Sequence, residues 1–391
     1  MKKAFKYVAL ALVFVMCITV FASCGNKPDG NETTAPDGET APVADGASIM
    51  IGATGPLTGD ASSYGISVNQ GAQIAVDEIN AAGGLNGIKF NFVMKDDKAK
   101  AEDAAIAYDQ LMDSGMKVSI GSVTSGACES FAAKSVDDNL FFITPSASAA
   151  GVIAERANGF RVCFGDPDQG ILAADKLVKD YKMTNIGCIY DTSDPYSTGI
   201  YEAFKGQMDS LNASFTTKTF DSENNKDFST QVDALKDCDA IFLPFYYTEA
   251  GLVARACAAK GCTAILFGCD GLDGVADQID ATVTNEVSYI TPFDVNSSDA
   301  KVADFVSKYE SKYGAKPDQF AADGYDAIYV IFEAMKAAGI DSADISVSDL
   351  CDKLTAAITG EGFSFAGVTG NMTWDATGAP TKEPIIVTVE K

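Results

Sequence analysis

The chain has 391 residues, of which 54 are acidic, 29 are Lys or Arg and none is His, so its formal charge is −25 at neutral pH. This negative charge disfavours nucleic acid and anionic membrane surfaces as partners. The absence of His excludes Ser-His-Asp and Cys-His catalysis and the usual His-containing zinc sites.

The first residues have the pattern of a secretion signal. Lysines precede an uncharged run over 7–22, which is shorter than the roughly 20 residues of a membrane-spanning helix. Small residues directly before Cys24 resemble the bacterial lipobox, which predicts a signal peptide over 1–23 and a lipid on Cys24. A plain signal peptide and a short membrane anchor are the alternatives. Residues 24–47 are polar and rich in Gly and Pro, which predicts a disordered tether.

From Ser48 onward, short apolar runs alternate with stretches of helical periodicity. This alternation is typical of parallel strands joined by crossover helices. A first series of strands is predicted over 48–54, 88–96, 118–123 and 140–144, with helices over 65–82, 100–114 and 126–137. A second series has strands over 160–164, 185–190, 214–219, 240–245 and 265–269, with helices over 169–179, 196–210, 228–236 and 249–260. Three further helices, over 299–313, 319–338 and 346–359, precede a terminal strand over 385–390.

This element order predicts an α/β fold with two doubly wound parallel-sheet lobes. The length after the tether exceeds what one hydrophobic core usually supports, which also favours two domains. In such sheets the ligand lies beyond the carboxyl ends of the strands, so the loops at those ends are the candidates for function.

Eight cysteines lie beyond the signal segment, and several of them, such as Cys163 and Cys188, fall inside apolar strand-like runs. A free cysteine in such a run behaves as a small buried hydrophobe. We therefore predict mostly free thiols, with Cys257 and Cys262 as the pair that would join if any did. No Cys-x-x-Cys motif or phosphate-binding loop occurs, and no metal or cofactor is predicted.

Serines follow two of the predicted strands. Ser125 lies where a strand ends and a helix begins, a place that suits a carboxylate because the helix dipole and free N–H groups point there. The alternative is that Ser125 is a helix N-cap. Ser146 and Ser148 lie in a turn after Pro145, which could equally be a plain polar turn.

The segment over 51–97, IGATGPLTGDASSYGISVNQGAQIAVDEINAAGGLNGIKFNFVMKDD, resembles the opening of the leucine/isoleucine/valine-binding proteins, the solute receptors of amino-acid ABC importers. Further matching stretches follow in order: IGSVTSG (120–126), ITPSAS (143–148), FRVCFGDPDQG (160–170), IYDTSDPYSTG (189–199), KDFSTQV (226–232), FGCDG (267–271) and TWDATG (373–378). The resemblance implies a type I periplasmic binding protein fold, with three crossings between lobes near Gly165, Phe293 and Thr373. The implied lobes are 48–165 with 294–372, and 166–293 with 373–391.

The resemblance also implies a ligand site with three parts. The residues around the ligand carboxylate would be Ser125, Ser146, Ala147 and Ser148. The acids that bind the ammonium group would be Asp166 and Asp270. The aromatic walls would be Tyr64, Tyr196 and Tyr246. The alternatives are solvated surface for the acids and core packing for the tyrosines.

The resulting prediction is a monomeric, lipid-tethered receptor, on the outer face of the cytoplasmic membrane or in a periplasm. It would capture a free amino acid with a branched-chain or other apolar side chain by lobe closure and deliver it to an ABC permease, without enzymatic activity. No aligned arginine awaits an acidic side chain, which disfavours glutamate and aspartate. The alternatives are a ligand sensor for a membrane signalling partner and a receptor for another small amino-acid-like or amide solute.

Overall fold

The computed structural model describes residues 47–389, in which strands and helices alternate as the sequence predicts. The strands are β1 (Ser48–Gly55), β2 (Lys89–Asp96), β3 (Val118–Ser119), β4 (Phe142–Thr144), β5 (Gly159–Arg161), β6 (Ile186–Asp191), β7 (Phe215–Phe220), β8 (Ala240–Leu243), β9 (Ile265–Gly268), β10 (Val287–Thr291), β11 (Phe365–Gly367), β12 (Gly370–Met372) and β13 (Ile385–Thr388). The α-helices are α1 (Ser62–Ala81), α2 (Ala101–Asp113), α3 (Ser125–Asp137), α4 (Asp166–Asp175), α5 (Pro195–Ser210), α6 (Ser229–Leu235), α7 (Tyr247–Lys260), α8 (Ala300–Tyr313), α9 (Gln319–Ala337) and α10 (Val347–Ile358).

The first sheet has the order β2-β1-β3-β4-β5, and all its strands are parallel. Its side chains alternate between two apolar layers, because successive residues of a strand point to opposite faces. Phe141 and Ile143 pack in the layer that also holds residues of α1, α9 and α10, whereas Phe142 packs with residues of α2 and α3. Helices therefore cover both faces of this sheet, which is why its strands are almost entirely buried.

The second sheet has the order β13-β10-β9-β8-β6-β7. Its strands are parallel except β13, which pairs with β10 in the antiparallel direction at the edge. Cys188 and Phe242 pack with residues of α4 and α5, and Ile189 and Ile241 pack in the layer that includes α6 and α7. This sheet is also covered on both faces, so both sheets have the doubly wound arrangement that the sequence predicts.

The chain passes between the two sheets after β5, after β10 and after β12. Helices α8 and α9, which follow β10, pack against α1 of the first sheet through a small apolar cluster that includes Ile74, Phe305 and Ala321. The division into lobes at 165/166, 293/294 and 372/373 stays a prediction.

The segment before β13 is anchored on the first sheet through Lys382. The side chain of Lys382 is fully buried, and its Nζ lies 3.0 Å from Asp323 Oδ1 in α9. The same Nζ donates to Thr369 Oγ1 and to the carbonyl oxygen of Val162, each at 2.7 Å. One ammonium group thus ties together three segments close to two of the passages between the sheets.

Helices α1 and α9 lie in unusually close contact, because glycines stand at their crossing. A Cβ added to Gly71 would lie 1.8 Å from the carbonyl oxygen of Ala321, and one added to Gly324 would lie 2.6 Å from that of Val68. No larger residue fits at either position without displacing backbone. This contact brings the start of α9 beside the start of α1.

Some elements differ from the sequence-based prediction. The strand predicted to open the second series is β5, and it pairs with β4 in the first sheet. Strand β10 was not predicted. The helix predicted from 169 begins at Asp166, because Pro167 in its first turn has a backbone angle that suits a helix start. Strands β3 and β8 end earlier than predicted, since the residues that follow them form loops.

The eight cysteines of the described region are all free, and seven of them are buried, as predicted. Cys257 and Cys262 are not joined. None of the helices over 47–389 has the length and apolar character required to cross a membrane. Cys24, the predicted signal peptide and nearly all of the predicted tether lie outside the described residues.

Candidate functional site

A cavity lies where the carboxyl ends of the two sheets face each other. Its free volume is about 10 Å³, about the space that one water molecule needs. The elements of the first sheet contribute Tyr64, Val123, Thr124, Ser125, Ser146 and Phe320. The elements of the second sheet contribute Tyr196, Tyr246, Asp270 and Gly271. The cavity is therefore built by both lobes, at the place that doubly wound sheets reserve for ligands.

Aromatic rings form a continuous wall around this cavity. The ring of Tyr64 stacks on that of Phe320, with centroids 4.1 Å apart and an interplanar angle of 29°. A second neighbour is Tyr246, in an edge-to-face contact at 5.5 Å. Tyr246 in turn stacks on Tyr196 at 5.1 Å. Such rings offer an apolar surface to a ligand side chain and keep polar hydroxyls at their tips.

Tyr64 also joins the two lobes by hydrogen bonds. Its hydroxyl donates to the carbonyl oxygen of Gly271 at 2.5 Å and accepts from the backbone N–H of Tyr247 at 3.1 Å. Burial raises the pKa of Tyr64 well above its ordinary value, so the hydroxyl keeps its proton. Tyr64 is thus a neutral bridge from the start of α1 to two loops of the second sheet.

Asp270 lies directly beyond β9 and is only 4% exposed. Its Oδ1 accepts from the hydroxyl of Tyr196 at 2.7 Å. Its backbone is fixed on both sides, because its N–H donates to Gln169 Oε1 at 3.0 Å and its carbonyl accepts from Gln319 Nε2 at 2.6 Å. Burial raises the pKa of Asp270 to about 6, and the hydrogen bonds from Tyr196 and its other neighbours oppose that rise. At neutral pH the carboxylate is mostly ionised.

Asp166 is the first residue of α4 and is 1% exposed. Neither of its carboxylate oxygens has a hydrogen-bond partner among the described residues. Burial raises the pKa of Asp166 well above its ordinary value. The nearby Ser148 hydroxyl lowers this pKa, although it does not have the geometry of a hydrogen bond to the carboxylate. A buried carboxylate without a partner is costly unless a cation or donor joins it.

The amino end of α3 also lines the cavity. Ser125 is the first helical residue, and Thr124 before it occupies the cap position without making a capping bond through its side chain. The Ser125 hydroxyl accepts from the backbone N–H of Ala149 at 3.2 Å, and Thr124 Oγ1 has no partner among the described residues. Ser125 is therefore not the N-cap. The free helix terminus and the Thr124 hydroxyl suit a carboxylate.

The turn after β4 contributes unequally. The Ser146 hydroxyl donates to the carbonyl oxygen of Val123 at 2.7 Å and the residue lines the cavity. Ala147 is buried in the apolar cluster around Phe131 and does not line it. Ser148 is also outside the wall, and its buried hydroxyl has no partner in the described region.

Of the nine predicted residues, six line one cavity, namely Tyr64, Ser125, Ser146, Tyr196, Tyr246 and Asp270. Ser148 and Asp166 do not line it, and the N–H of Asp166 donates to the carbonyl oxygen of Ser148 at 3.1 Å. Sequence reasoning missed Val123, Thr124, Gly271 and Phe320. The first three are neighbours of predicted residues, whereas nothing in the local sequence marks Phe320.

Comparison with known proteins agrees with this architecture. A family model described as periplasmic binding protein matches residues 48–391. The Leu/Ile/Val-binding protein homolog 3 of Brucella melitensis is 29% identical over 308 residues, covering 77% of this chain and 82% of the relative. The Leu/Ile/Val-binding protein BraC3 of Rhizobium johnstonii is 28% identical over the same length, covering 76% and 82%.

Two solved structures share the fold over most of their length. The leucine binding protein LivK of Thermotoga maritima has a TM-score of 0.79 at 26% identity, with 88% of this chain and 95% of that one covered. The branched-chain amino acid transporter substrate binding protein LivJ of Streptococcus pneumoniae, solved in complex with isoleucine, has a TM-score of 0.78 at 29% identity, with 88% and 96% covered. The chain therefore has the type I periplasmic binding fold and belongs to the periplasmic binding protein family.

Proposed function

We propose that this protein is an extracytoplasmic receptor for a free amino acid with an apolar, branched side chain, and that it delivers its ligand to an ABC importer. The observation that carries the proposal is the cavity itself. Its aromatic wall comes from both lobes, a buried carboxylate lies on one side, and a helix amino terminus lies on the other. The related LivK is a leucine binding protein and the related LivJ was solved with isoleucine, and both amino acids fit that chemistry.

The ammonium group of the ligand would be held by acids. Asp270 accepts from Tyr196 through one oxygen, and Asp166 has both oxygens without a partner in the described region. An ammonium group beside both acids would favour their ionised forms and give strong, charge-assisted hydrogen bonds. The ligand's positive charge would also relieve the cost of burying these carboxylates.

The ligand carboxylate would bind at the amino end of α3. Thr124 and Ser148 each have a buried hydroxyl without a partner among the described residues, and the first N–H groups of a helix have no partner within it. Because the acids and this terminus hold opposite ends of one small molecule, the ligand would stabilise the closed arrangement of the lobes.

The side chain of the ligand would lie against the rings of Tyr64, Phe320 and Tyr246. Val123 is the other apolar residue of the lining, and the lining contains no arginine or lysine. An acidic side chain would leave its charge unpaired there, which costs several kcal/mol. This favours leucine, isoleucine or valine over glutamate.

The proposed placement of the protein rests on its sequence. A signal peptide over 1–23 and a lipid on Cys24 would hold the receptor, as a monomer, outside the cytoplasmic membrane, with 24–47 as tether. Cys24→Ala would then release the protein from the membrane fraction, with Cys238→Ala as a control that keeps it there. Membrane retention of the Cys24 variant would contradict the lipid anchor.

Isothermal titration of the purified protein with isoleucine, leucine, valine, glutamate and benzoate tests the ligand class. We expect the three branched-chain amino acids to bind, and we expect no binding of glutamate or benzoate. Chromatography of the recovered ligand should return it unchanged, since a receptor does not turn its ligand over. Binding of benzoate but of no amino acid, or conversion of any amino acid, would refute the proposal.

A further inference from the structure

Arg161, at the end of β5, is buried without a counterion. The residue is 3% exposed, and its guanidinium forms no ion pair with any acid of the described region. Its Nε has no hydrogen-bond partner among the same residues. An unpaired buried charge is expensive, so the protein retains this one against a substantial cost. The role of the guanidinium follows from the groups that it contacts.

The guanidinium holds the peptide that joins Ser148 to Ala149. Its Nη1 donates to the carbonyl oxygen of Ser148, and its Nη2 donates to that of Ala149 at 3.3 Å. The opposite side of the same peptide is held by Ser125, whose hydroxyl accepts from the N–H of Ala149 at 3.2 Å. The Ser148–Ala149 peptide is therefore fixed at both its C=O and its N–H.

The Ser148 carbonyl also reaches the other end of the candidate site. It accepts from the backbone N–H of Asp166 at 3.1 Å, so the guanidinium and the first residue of α4 share one acceptor. The positive charge of Arg161 lowers the pKa of the Asp166 carboxyl, against the larger effect of burial. A single side chain thus contacts the serine turn and acts on the buried acid.

We propose that Arg161 is a positioning residue of the ligand site, which fixes the Ser148–Ala149 peptide against Asp166 and places a positive charge beside that carboxylate. The inference rests on the proposed function, because it assumes a ligand that has an ammonium group. Arg161 does not line the cavity and acts through Ser148 and Asp166.

Other titratable groups also face Asp166 and set the background for this effect. They are Asp270 and Cys269 beyond β9, Asp194 before α5 and Tyr246 before α7. The acids raise the pKa of Asp166, as does its burial. Removal of the guanidinium leaves these effects opposed by the Ser148 hydroxyl but no longer by this positive charge. The Asp166 carboxyl would then bind its proton more tightly, and at a given pH a smaller fraction would be ready for an ammonium group.

The test compares Arg161→Met with Arg156→Met. Arg156 is a matched control, because its guanidinium also donates only to loop carbonyls, those of Gly151, Val152 and Ala154, and does not reach Ser148 or Asp166. Isoleucine affinity is measured by titration calorimetry from pH 5 to pH 8.5 in the full protein, with thermal unfolding of each variant alongside.

We expect Arg161→Met to weaken isoleucine binding at pH 7 by about tenfold or more, the factor that corresponds to one lost hydrogen bond to a charged group. The loss should shrink as the pH rises, because alkali restores the ionised acid, whereas Arg156→Met should follow the unmodified protein. A loss that is the same at every pH, or no loss, would overturn the proposal. If the unmodified protein binds no amino acid, the proposed function fails first and takes the inference with it.

Arg161→Lys keeps the experiment decisive if the methionine variant does not fold. The lysine keeps a positive charge, so the pH dependence should stay close to that of the unmodified protein. A single ammonium group does not reproduce the planar fork that reaches two carbonyls, so affinity should fall at all pH values. Unchanged affinity in this variant would overturn the positioning role.

Discussion

Lowering the pH from 8 to 5 should release a bound amino acid, and Asp270 should account for a defined part of that release. Burial raises the pKa of this carboxyl from an ordinary 3.8 to about 6 in the ligand-free protein. About 99% of Asp270 is then ionised at pH 8 and about 9% at pH 5. Since the ammonium group of a ligand needs the ionised form, isoleucine affinity should fall about tenfold from this residue alone.

The same shift predicts the opposite trend for the stability of the ligand-free protein. A carboxyl whose pKa is raised by folding binds its proton more tightly in the folded state, so its contribution to the free energy of unfolding is complete below pH 3.8. That contribution is lost as the pH rises through about 6. The full shift corresponds to about 3 kcal/mol. Acid should therefore weaken the complex while it stabilises the empty protein in this window.

Calorimetric titration with isoleucine at pH 5, 6, 7 and 8 measures the first effect, and urea unfolding without ligand measures the second. Asp270→Asn should bind more weakly at pH 8 by about 1.5–3 kcal/mol, the worth of a hydrogen bond to a charged group, and should lose the tenfold pH effect. Asp280→Asn, which changes an exposed acid ten residues later, is the matched control. Asp166 adds its own pH dependence to all three proteins. An identical pH profile in the Asp270 variant and the unmodified protein would refute the reasoning.

Three further predictions concern packing and closure. Lys382→Met should lower the free energy of unfolding in urea by about 3–5 kcal/mol, because it leaves a buried acid unpaired. The control Lys312→Met removes an exposed ion pair and should lower it by no more than about 1 kcal/mol. Equal losses would contradict the burial argument. Gly71→Ala should lower the free energy of unfolding by about 1–3 kcal/mol in the same assay, because the added Cβ would lie 1.8 Å from a backbone oxygen. The control Gly206→Ala, where the added Cβ has no atom within 4 Å, should raise it by about 0.5–1 kcal/mol. Tyr64→Phe removes the two hydrogen bonds that the Tyr64 hydroxyl makes to Gly271 and Tyr247, so it should weaken isoleucine binding and reduce compaction in small-angle scattering. Unchanged affinity with full compaction would rule out Tyr64 as a bridge.

Local patterns in the sequence predicted most of the strand and helix order, and six predicted residues came together in one cavity. Ser125, Ser146 and Asp270 follow strand ends, and the carboxyl ends of parallel strands share one edge, so local pattern and sheet geometry bring them together. The three tyrosines were expected only from the family resemblance. The role of all six in ligand binding stays a prediction. Ala147 was expected beside the ligand, in the same turn as Ser146 and Ser148. It packs into the apolar core instead.

Phe320 and β10 could not be predicted from local pattern. Phe320 reaches the cavity because glycines let α9 press against α1, a contact between distant parts of the chain. Strand β10 has the short sequence VSYIT, which has little periodicity of its own and becomes a strand by pairing with β9 on one side and β13 on the other. Contacts between distant parts of the chain determine whether such elements form, and a short stretch of sequence does not reveal those contacts.

The contact between α1 and α9 sets an order in which the chain can fold. Tyr325 of α9 donates to Glu78 of α1, which lies 247 residues earlier. The first lobe therefore cannot complete its folding until nearly the whole chain is available. The strands of the second sheet from β6 to β10 are consecutive and can pair while the first lobe is still open, since contacts distant in sequence form slowly. The half-folded chain would then expose the apolar face of α1 until α9 arrives. Pulsed hydrogen exchange during refolding should accordingly protect the amides of β6 and β8 before those of α1. A chain that is stopped short of α9 lacks β13, so it should pair β6 to β9 as in the native second sheet and have an aggregation-prone first one.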